Sequence, residues 1–337
     1  MNPYISKTVT LNGKRRKITM YADNEHGRNK RIKDEELLGV FRRVYEPSKF
    51  VYAYTSGKGI KDNATLHMYS DEFIFLDIKN FFPSINHEIL ACELTYVLVE
   101  YMKKHKDNRV INLKEIPFLI NFCTTKKDKG LQLGLVCSPI LSNIYLNRFD
   151  HGVYAKIQKK KKMLSETDKS IEVLYSRYAD DIVISFKKED DSCIDDSEIS
   201  KFKNEIIAIV ENELKNFELI LNWKKTKKRS IDVNNHVVVT GVNIVYKNGE
   251  RSLTVGKKYK NCLFWECVKF YQEYLNINST KSEDILKERD VLFGKHNFIL
   301  SIEPNYYEEA YSPNMKGIIA NFGFESLEEL LKQCFTL

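Results

Sequence analysis

One stretch constrains this chain more than any other: Tyr175-Ser-Arg-Tyr-Ala-Asp-Asp-Ile-Val-Ile-Ser185. An alternating arm leads into Tyr178-Ala179-Asp180-Asp181 and an apolar arm leads out. That is the pattern of a tight β-hairpin with two carboxylates at its tip. Adjacent acids repel and gain nothing from core packing. A solvated turn is one reason for such a pair. A hard cation that needs oxygen ligands is another.

The rest of the chain decides between them. Phe73-Ile-Phe-Leu76 has the character of a short buried strand, and it stops abruptly at Asp77. Between this acid and the hairpin lies Gln132-Leu133-Gly134-Leu-Val-Cys-Ser138-Pro139, a loop with proline at the first turn of a helix. Ile140, Ile144 and Phe149 give that helix an apolar stripe. Downstream, Leu219 to Thr226 reads as a strand running into a basic turn that contains Lys225.

The remaining elements follow from periodicity and punctuation. Thr8–Leu11 and Arg16–Tyr21 flank an Asn12-Gly13 turn. Asp34 to Tyr45 is helical in spacing, with Asp34 as its N-cap. Asn63 is placed to cap a short helix carrying His67 one turn later. Helices are expected from His87 to about Lys104, from Asn108 to Cys123 with an interruption near Pro117, and from Asp195 to Phe217. Ser165 to Ser170 reads as a linker. His236–Tyr246, a turn at Lys247-Asn248-Gly249 and Ser252–Val255 read as a hairpin. Helices over 257–275, 283–302 and 326–333 complete the chain.

Composition narrows the class. The 337 residues carry a net charge of +7, and the basic residues cluster at Lys14-Arg15-Arg16-Lys17, Arg28–Lys33, Lys159–Lys162 and Lys224–Arg229. Together with 19 Tyr and 19 Phe, this suits a polyanion with stackable bases, although any one cluster by itself reads better as a solvated face. Cys92, Cys123, Cys137, Cys193, Cys262, Cys267 and Cys334 include no Cys-x-x-Cys pair. That argues against a disulfide framework or a zinc site and fits a reducing cytoplasm. No apolar run reaches the ~18 residues of a membrane span, and the N-terminus lacks a signal core.

Strand-acid, loop-helix, hairpin-acid pair and lysine, in that order, resemble the palm of a template-directed polymerase. Tyr178-Ala-Asp-Asp181 resembles the YxDD box of reverse transcriptases, Phe75–Ile85 their motif A, residues 130–150 their motif B, and Leu221–Thr226 their motif D. Asn63-Ala-Thr-Leu-His67 and Val239-Thr240-Gly241 are similar to the N-A-x-x-H and V-T-G boxes of bacterial retron reverse transcriptases. Leu133 stands where many relatives have a glutamine, with Gln132 one place earlier. Abortive-infection and other defence-associated reverse transcriptases also carry apolar residues there.

The resemblance implies an α+β right-hand polymerase. Residues 1–72 would be the N-terminal part of its fingers. Its palm spans 73–235, an antiparallel sheet backed by helices, with inserted finger helices at about 105–135. Its thumb is 236–337, a β-hairpin followed by helices. It implies catalysis with two Mg²⁺ ions, for which Mn²⁺ can substitute. Asp77, Asp180, Asp181 and the Ile78 carbonyl would be the ligands.

The resemblance also implies contacts to the incoming dNTP from Phe82, Gln132, Gly134, Ser138 and Lys225. Phe82 would lie beneath the sugar and exclude a 2′-hydroxyl, while Phe81 is a core residue. One or more of Lys14–Lys17 would grip the triphosphate. RNA or primer contacts fall on Asn63, His67, Thr240, Gly241, Lys257 and Lys258. The implied activity is RNA-directed DNA synthesis on a cognate structured non-coding RNA, giving a branched RNA–DNA of msDNA type, in antiphage defence with a separate effector protein. The alternatives are a defence-associated enzyme that makes repetitive or untemplated DNA and, in a different class, an RNA-binding scaffold.

Overall fold

The computed structural model describes residues 2–11, 14–106, 112–165, 171–188, 194–247, 249–275 and 282–333. The expected Asn12-Gly13 tip, the start of the Asn108 helix, nearly all of the 165–170 linker, Asn248, Cys193 and Cys334 lie outside these residues. In chain order the strands are β1 (Tyr4–Leu11), β2 (Lys14–Tyr21), β3 (Glu72–Asp77), β4 (Ile171–Tyr178), β5 (Asp181–Lys188), β6 (Lys227–Ser230), β7 (His236–Val239), β8 (Val242–Lys247) and β9 (Glu250–Thr254). The helices are α1 (Glu25–Val44), α2 (Ile60–Leu66), α3 (Phe81–Ser84), α4 (His87–His105), α5 (Ile116–Cys123), α6 (Ser138–Tyr145), α7 (Asn147–Ser165), α8 (Asp196–Asn216), α9 (Ile231–Asn234), α10 (Lys257–Leu275), α11 (Ser282–Ile302), α12 (Tyr306–Ala310), α13 (Pro313–Asn321) and α14 (Leu327–Gln333).

The chain divides into two units. The first takes in Met1–Gly59 and Tyr69–Ser230. Its centre is an antiparallel sheet in the order β4-β5-β3-β6. Phe73, Ile74 and Leu76 of β3 and Ile182, Val183 and Ile184 of β5 are at most 2% exposed, because these inner strands are covered on both faces. α7 packs on β4, and α8 packs on α7. The α8 terminus is built as the sequence suggests: Asp195 accepts from the Glu198 amide at 2.9 Å and Glu198 reaches back in a capping box.

Three local expectations are corrected here. Asn24, not Asp34, caps α1, accepting from the Gly27 amide at 2.8 Å. Asp34 lies inside the helix, 1% exposed, and accepts from the Tyr21 hydroxyl at 2.7 Å and from Lys30. Pro117 sits in the first turn of α5, where its missing N–H leaves no bond unmade, so it starts this helix rather than interrupting one. Leu219–Thr226 is not a regular strand: only Leu221 bridges to Ile78, and the pairing strand is β6. The amides of Lys225 and Thr226 both turn back to the Asn222 carbonyl, at 2.9 and 3.1 Å, which bends the chain away from the ladder.

The second unit takes in Ile60–Met68 and Ile231–Leu337. Its sheet runs β7-β8-β9. The expected single strand His236–Tyr246 is two strands, because Thr240 (φ +46°) and Gly241 (φ +90°) make a tight turn between them. α2 packs on β7 and β8, so residues 60–68, assigned from the sequence to the N-terminal part of the fingers, group with the C-terminal unit. Asn63 lies within α2, so it does not cap that helix. α10 packs against α11 and α14. No helix among the described residues is long and apolar enough to cross a membrane.

Candidate active site

The site grows out of sheet register. β3 and β5 pair so that Asp77 stands opposite Asp181, and β4 pairs with β5 so that Tyr178 also stands opposite Asp181. Two residues, Ala179 and Asp180, are left to turn the hairpin. Ala179 takes a left-handed conformation (φ +57°), which a Cβ disfavours. The Ile78 amide donates to the Asp180 carbonyl at 3.0 Å, tying the end of β3 to the turn. Three carboxylates are thereby drawn to one end of the sheet from two stretches distant in sequence.

Their surroundings differ. Asp77 is 4% exposed. Asn222 donates to its Oδ1 at 2.7 Å, and Lys225 donates to its Oδ2. Asp180 is half-buried and Asp181 exposed. Burial pushes the Asp180 carboxyl above the ordinary carboxylate range; the charge of Asp77 adds to this, while its own backbone hydrogen bond, Lys225 and Arg16 oppose it. The Lys225 ammonium is pushed up, first by its bond to Asp77.

The donors are hard oxygens, the set that Mg²⁺ prefers. Asp77 already holds one cationic group, the Lys225 ammonium. Among the described residues, Asp34, Cys123 and Cys137 also bring potential ligand atoms within 4.8 Å of one another. That cluster is internally satisfied: Lys30 and Tyr21 hold the Asp34 carboxylate, and the Cys137 thiol donates to the Asp34 carbonyl at 3.2 Å.

The loop before α6 packs against β2. The Thr19 amide donates to the Leu133 carbonyl at 2.8 Å, and the Tyr21 hydroxyl accepts from the Val136 amide at 3.4 Å. Gly134 has φ +104°, and a Cβ there would lie 2.3 Å from the Thr19 carbonyl oxygen. Gln132 accepts from the Thr125 amide at 3.0 Å, while its Nε2 is buried without a partner among the described residues. Ser138 Oγ is also buried with no partner among the described residues. The Leu133 side chain packs against the core.

The pattern of the family described as Reverse transcriptase (RNA-dependent DNA polymerase) matches residues 12–255. The chain belongs to the reverse transcriptase family. It is 28% identical over 262 residues to the Retron Ec83 reverse transcriptase of Escherichia coli, covering 76% of this chain and 70% of that one. It is 25% identical over 260 residues to the Retron Ec73 reverse transcriptase of E. coli, covering 76% and 71%. The fold is similar to that of apo telomerase from Candida tropicalis, with a TM-score of 0.52 at 13% identity, over 98% of this chain and 64% of that one. The mixture of helices and antiparallel sheet is that of a right-hand polymerase.

Within this reverse transcriptase, Asp77, Ile78, Asp180, Asp181 and Lys225 converge in one unit. Phe82 is 8% exposed and meets Phe81 edge-on at 5.6 Å. Its carbonyl accepts from the Leu131 amide at 2.8 Å, beside the loop. Lys257 and Lys258 are exposed on α10.

Asn63 and His67 are both 0% exposed, so neither side chain faces solvent. Asn63 donates to Thr240 Oγ1 at 3.3 Å, and Thr240 Oγ1 donates to the Ile60 carbonyl at 3.4 Å. The two boxes therefore meet each other and fix the Thr240-Gly241 turn.

Sequence reading missed three residues. Asn222 lay inside an expected strand, with nothing to mark it as a partner of Asp77. Arg177 lay inside the opening motif with its ligands far away. Tyr54 has φ +58° and is 51% exposed, and its hydroxyl is pushed up, first by partial burial and then by the charge of Asp180. No local pattern announces a left-handed tyrosine.

Proposed function

We propose that this reverse transcriptase is of retron type and copies part of a cognate structured RNA into DNA, leaving a branched RNA–DNA. The observation that carries its chemistry is the pairing of Asp77 with Asp181 beside the Asp180 turn. Asp77, Asp180, Asp181 and the Ile78 carbonyl would hold two divalent cations, with Mg²⁺ the natural choice and Mn²⁺ a substitute. When bound, these ions lower the pKa of the attacking 3′-hydroxyl and stabilise the charge on the leaving pyrophosphate.

The chain's own groups do the rest. Asn222 and Lys225 hold Asp77 in one rotamer. Lys225, protonated and beside Asp77, is a charge and a proton source for the pyrophosphate leaving group. On β2, Arg16 alternates onto the same face as Ile18, whose methyl lies against the Gly134 position, and its charge reaches Asp180. Arg16 is therefore the basic residue of the Lys14–Lys17 run assigned to the triphosphate. Arg16→Ala should raise the dNTP KM more than it lowers kcat, whereas Arg15→Ala should do neither.

Similarity to the two retron enzymes supports the subtype. A role in antiphage defence with a separate effector belongs to the same reading. The test is purification with the RNA of its own locus, followed by sequencing of the bound nucleic acid. A branched RNA–DNA of fixed sequence is expected. Homopolymer or repeats would instead support the defence-associated alternative, which Leu133 in place of a polar side chain favours. Asp180→Ala with Asp181→Ala should abolish dNTP incorporation, and surviving synthesis would overturn the metal assignment.

A further inference from the structure

Strand alternation places Tyr175 and Arg177 on one side of β4, the arm that leads to the catalytic turn. Tyr175 and Arg177 converge on Asp150 at the start of α7. The Tyr175 hydroxyl donates to Asp150 Oδ1 at 2.7 Å. Arg177 donates from Nε to Oδ1 and Oδ2 at 2.9 and 3.1 Å and from Nη2 to Oδ2 at 2.8 Å. Both side chains of this ion pair are 0% exposed.

The remaining guanidinium nitrogen points elsewhere. Arg177 Nη1 donates to the Ala179 carbonyl at 3.1 Å and to Asn143 Oδ1 at 3.2 Å. Ala179 is the left-handed residue of the turn, and its carbonyl belongs to the peptide that carries the Asp180 amide. Asn143 lies on α6, the helix that begins at Ser138-Pro139, and its own amide donates to the Ala53 carbonyl at 2.9 Å. One planar group thus joins the turn, α6 and α7.

A fully buried ion pair adds little net stability compared with apolar residues of the same volume, because desolvation opposes the attraction. A need to fix geometry is the better account of this one. A left-handed alanine is strained, and such a conformation persists where its surroundings over-determine it.

We propose that Arg177 is a positioning residue for the catalytic turn. It holds the Ala179–Asp180 peptide in the orientation that aims Asp180 at the metal site, and through Asn143 it ties that orientation to the helix behind the nucleotide loop. The proposal rests on the reading of Asp180 as a metal ligand. Lysine has no planar fork and cannot reach Asp150, Asn143 and Ala179 together.

The test uses the full chain with its bound RNA. Arg177→Lys and Asn143→Ser are compared with wild type by thermal melting and by single-dNTP incorporation per titrated active site across a Mg²⁺ series. Arg177→Lys should lower the per-site rate by about 10- to 100-fold and raise the half-saturating Mg²⁺ concentration. Asn143→Ser, which leaves the Arg177–Asp150 pair intact, should shift both in the same direction by less.

A purely structural role would change the melting temperature and the fraction of active enzyme, and leave the per-site rate and Mg²⁺ dependence alone. That outcome in a folded variant overturns the proposal. Should Arg177→Lys not fold, Asn143→Ser decides by the same two readouts. Asp180→Asn is run alongside: if it keeps wild-type activity, the metal reading fails, whereas a dead Asp180→Asn with an unaltered Mg²⁺ profile in the other variants sinks only the role given to Arg177.

Discussion

Asn222 donates its side-chain amide to Oδ1 of Asp77 at 2.7 Å and its backbone N–H to the Asp77 carbonyl at 2.8 Å. A carboxylate held on one oxygen by a neutral donor and on the other by Lys225 is fixed in direction before any ligand arrives. Asn222→Leu keeps the bulk and removes the amide. It should lower dNTP incorporation by about 10- to 100-fold, with a weaker dependence on dNTP than on Mg²⁺ concentration. Trp223→Ala, next in sequence and 56% exposed, is the matched control and should incorporate dNTP at the wild-type rate. Equal rates for Asn222→Leu and wild type would remove Asn222 from the site.

Phe81 and Phe82 are adjacent and nearly perpendicular, yet they should fail in different ways. Phe81 is 2% exposed, and its truncation to alanine opens a cavity of the kind that destabilises by about 3–5 kcal/mol. Phe82, at 8%, is the more exposed of the two core rings, and its carbonyl is bonded to the loop before α6. Phe82→Ala should let the enzyme incorporate ribonucleotides while its melting temperature falls less than that of Phe81→Ala. Competition between dCTP and CTP, read on the same primer, checks the first half. Calorimetry checks the second.

Gly134 and Thr19 meet backbone to backbone. A methyl group at Gly134 would lie 2.3 Å from the Thr19 carbonyl oxygen, and φ at +104° disfavours any side chain. Gly134→Ala should push β2 off the loop and carry Arg16 away with it. The expected result is a raised dNTP KM with a modest loss of stability. A wild-type KM would show that β2 does not bear on the nucleotide.

The acids were legible because each sits at the end of a short-range pattern. A buried strand stops at Asp77, and a hairpin turns at Asp180-Asp181. Among the elements from Lys257 onward, α10, α11 and α14 were legible from their periodicity, as α8 was from its periodicity and its cap, whereas the short helices α12 and α13 were not. What supports the acids was not legible. Asn222 acts because the chain bends away from the β3 ladder, and that bend is made by backbone bonds from Lys225 and Thr226 rather than by a residue pattern. Arg177 matters through Asp150 and Asn143, both on helices that only the folded chain brings near. The Asn63 and Thr240 boxes were visible as motifs, but motif spelling carries no burial. Only the fold shows that they bond to each other.

His67 gives a prediction with a definite sign. Burial holds its pKa at about 3, against an ordinary value of 6.5. The folded state therefore keeps a neutral ring at pH values where the unfolded chain binds a proton. Above pH 6.5 neither state is protonated and stability is full. As the pH falls from 6.5 towards 3, proton binding favours the unfolded chain, by about 1 kcal/mol for each pH unit. The loss levels off only below the folded pKa.

Each unit holds one of the two tryptophans, Trp223 in the first and Trp265 in the second. In a Trp223→Phe background, Trp265 fluorescence reports the unit that contains His67. Its urea midpoint should fall between pH 7 and pH 5, and His67→Gln, which cannot titrate, should flatten that slope whatever it does to the midpoint at pH 7. An unchanged slope in His67→Gln would assign the acid sensitivity of this unit to other groups.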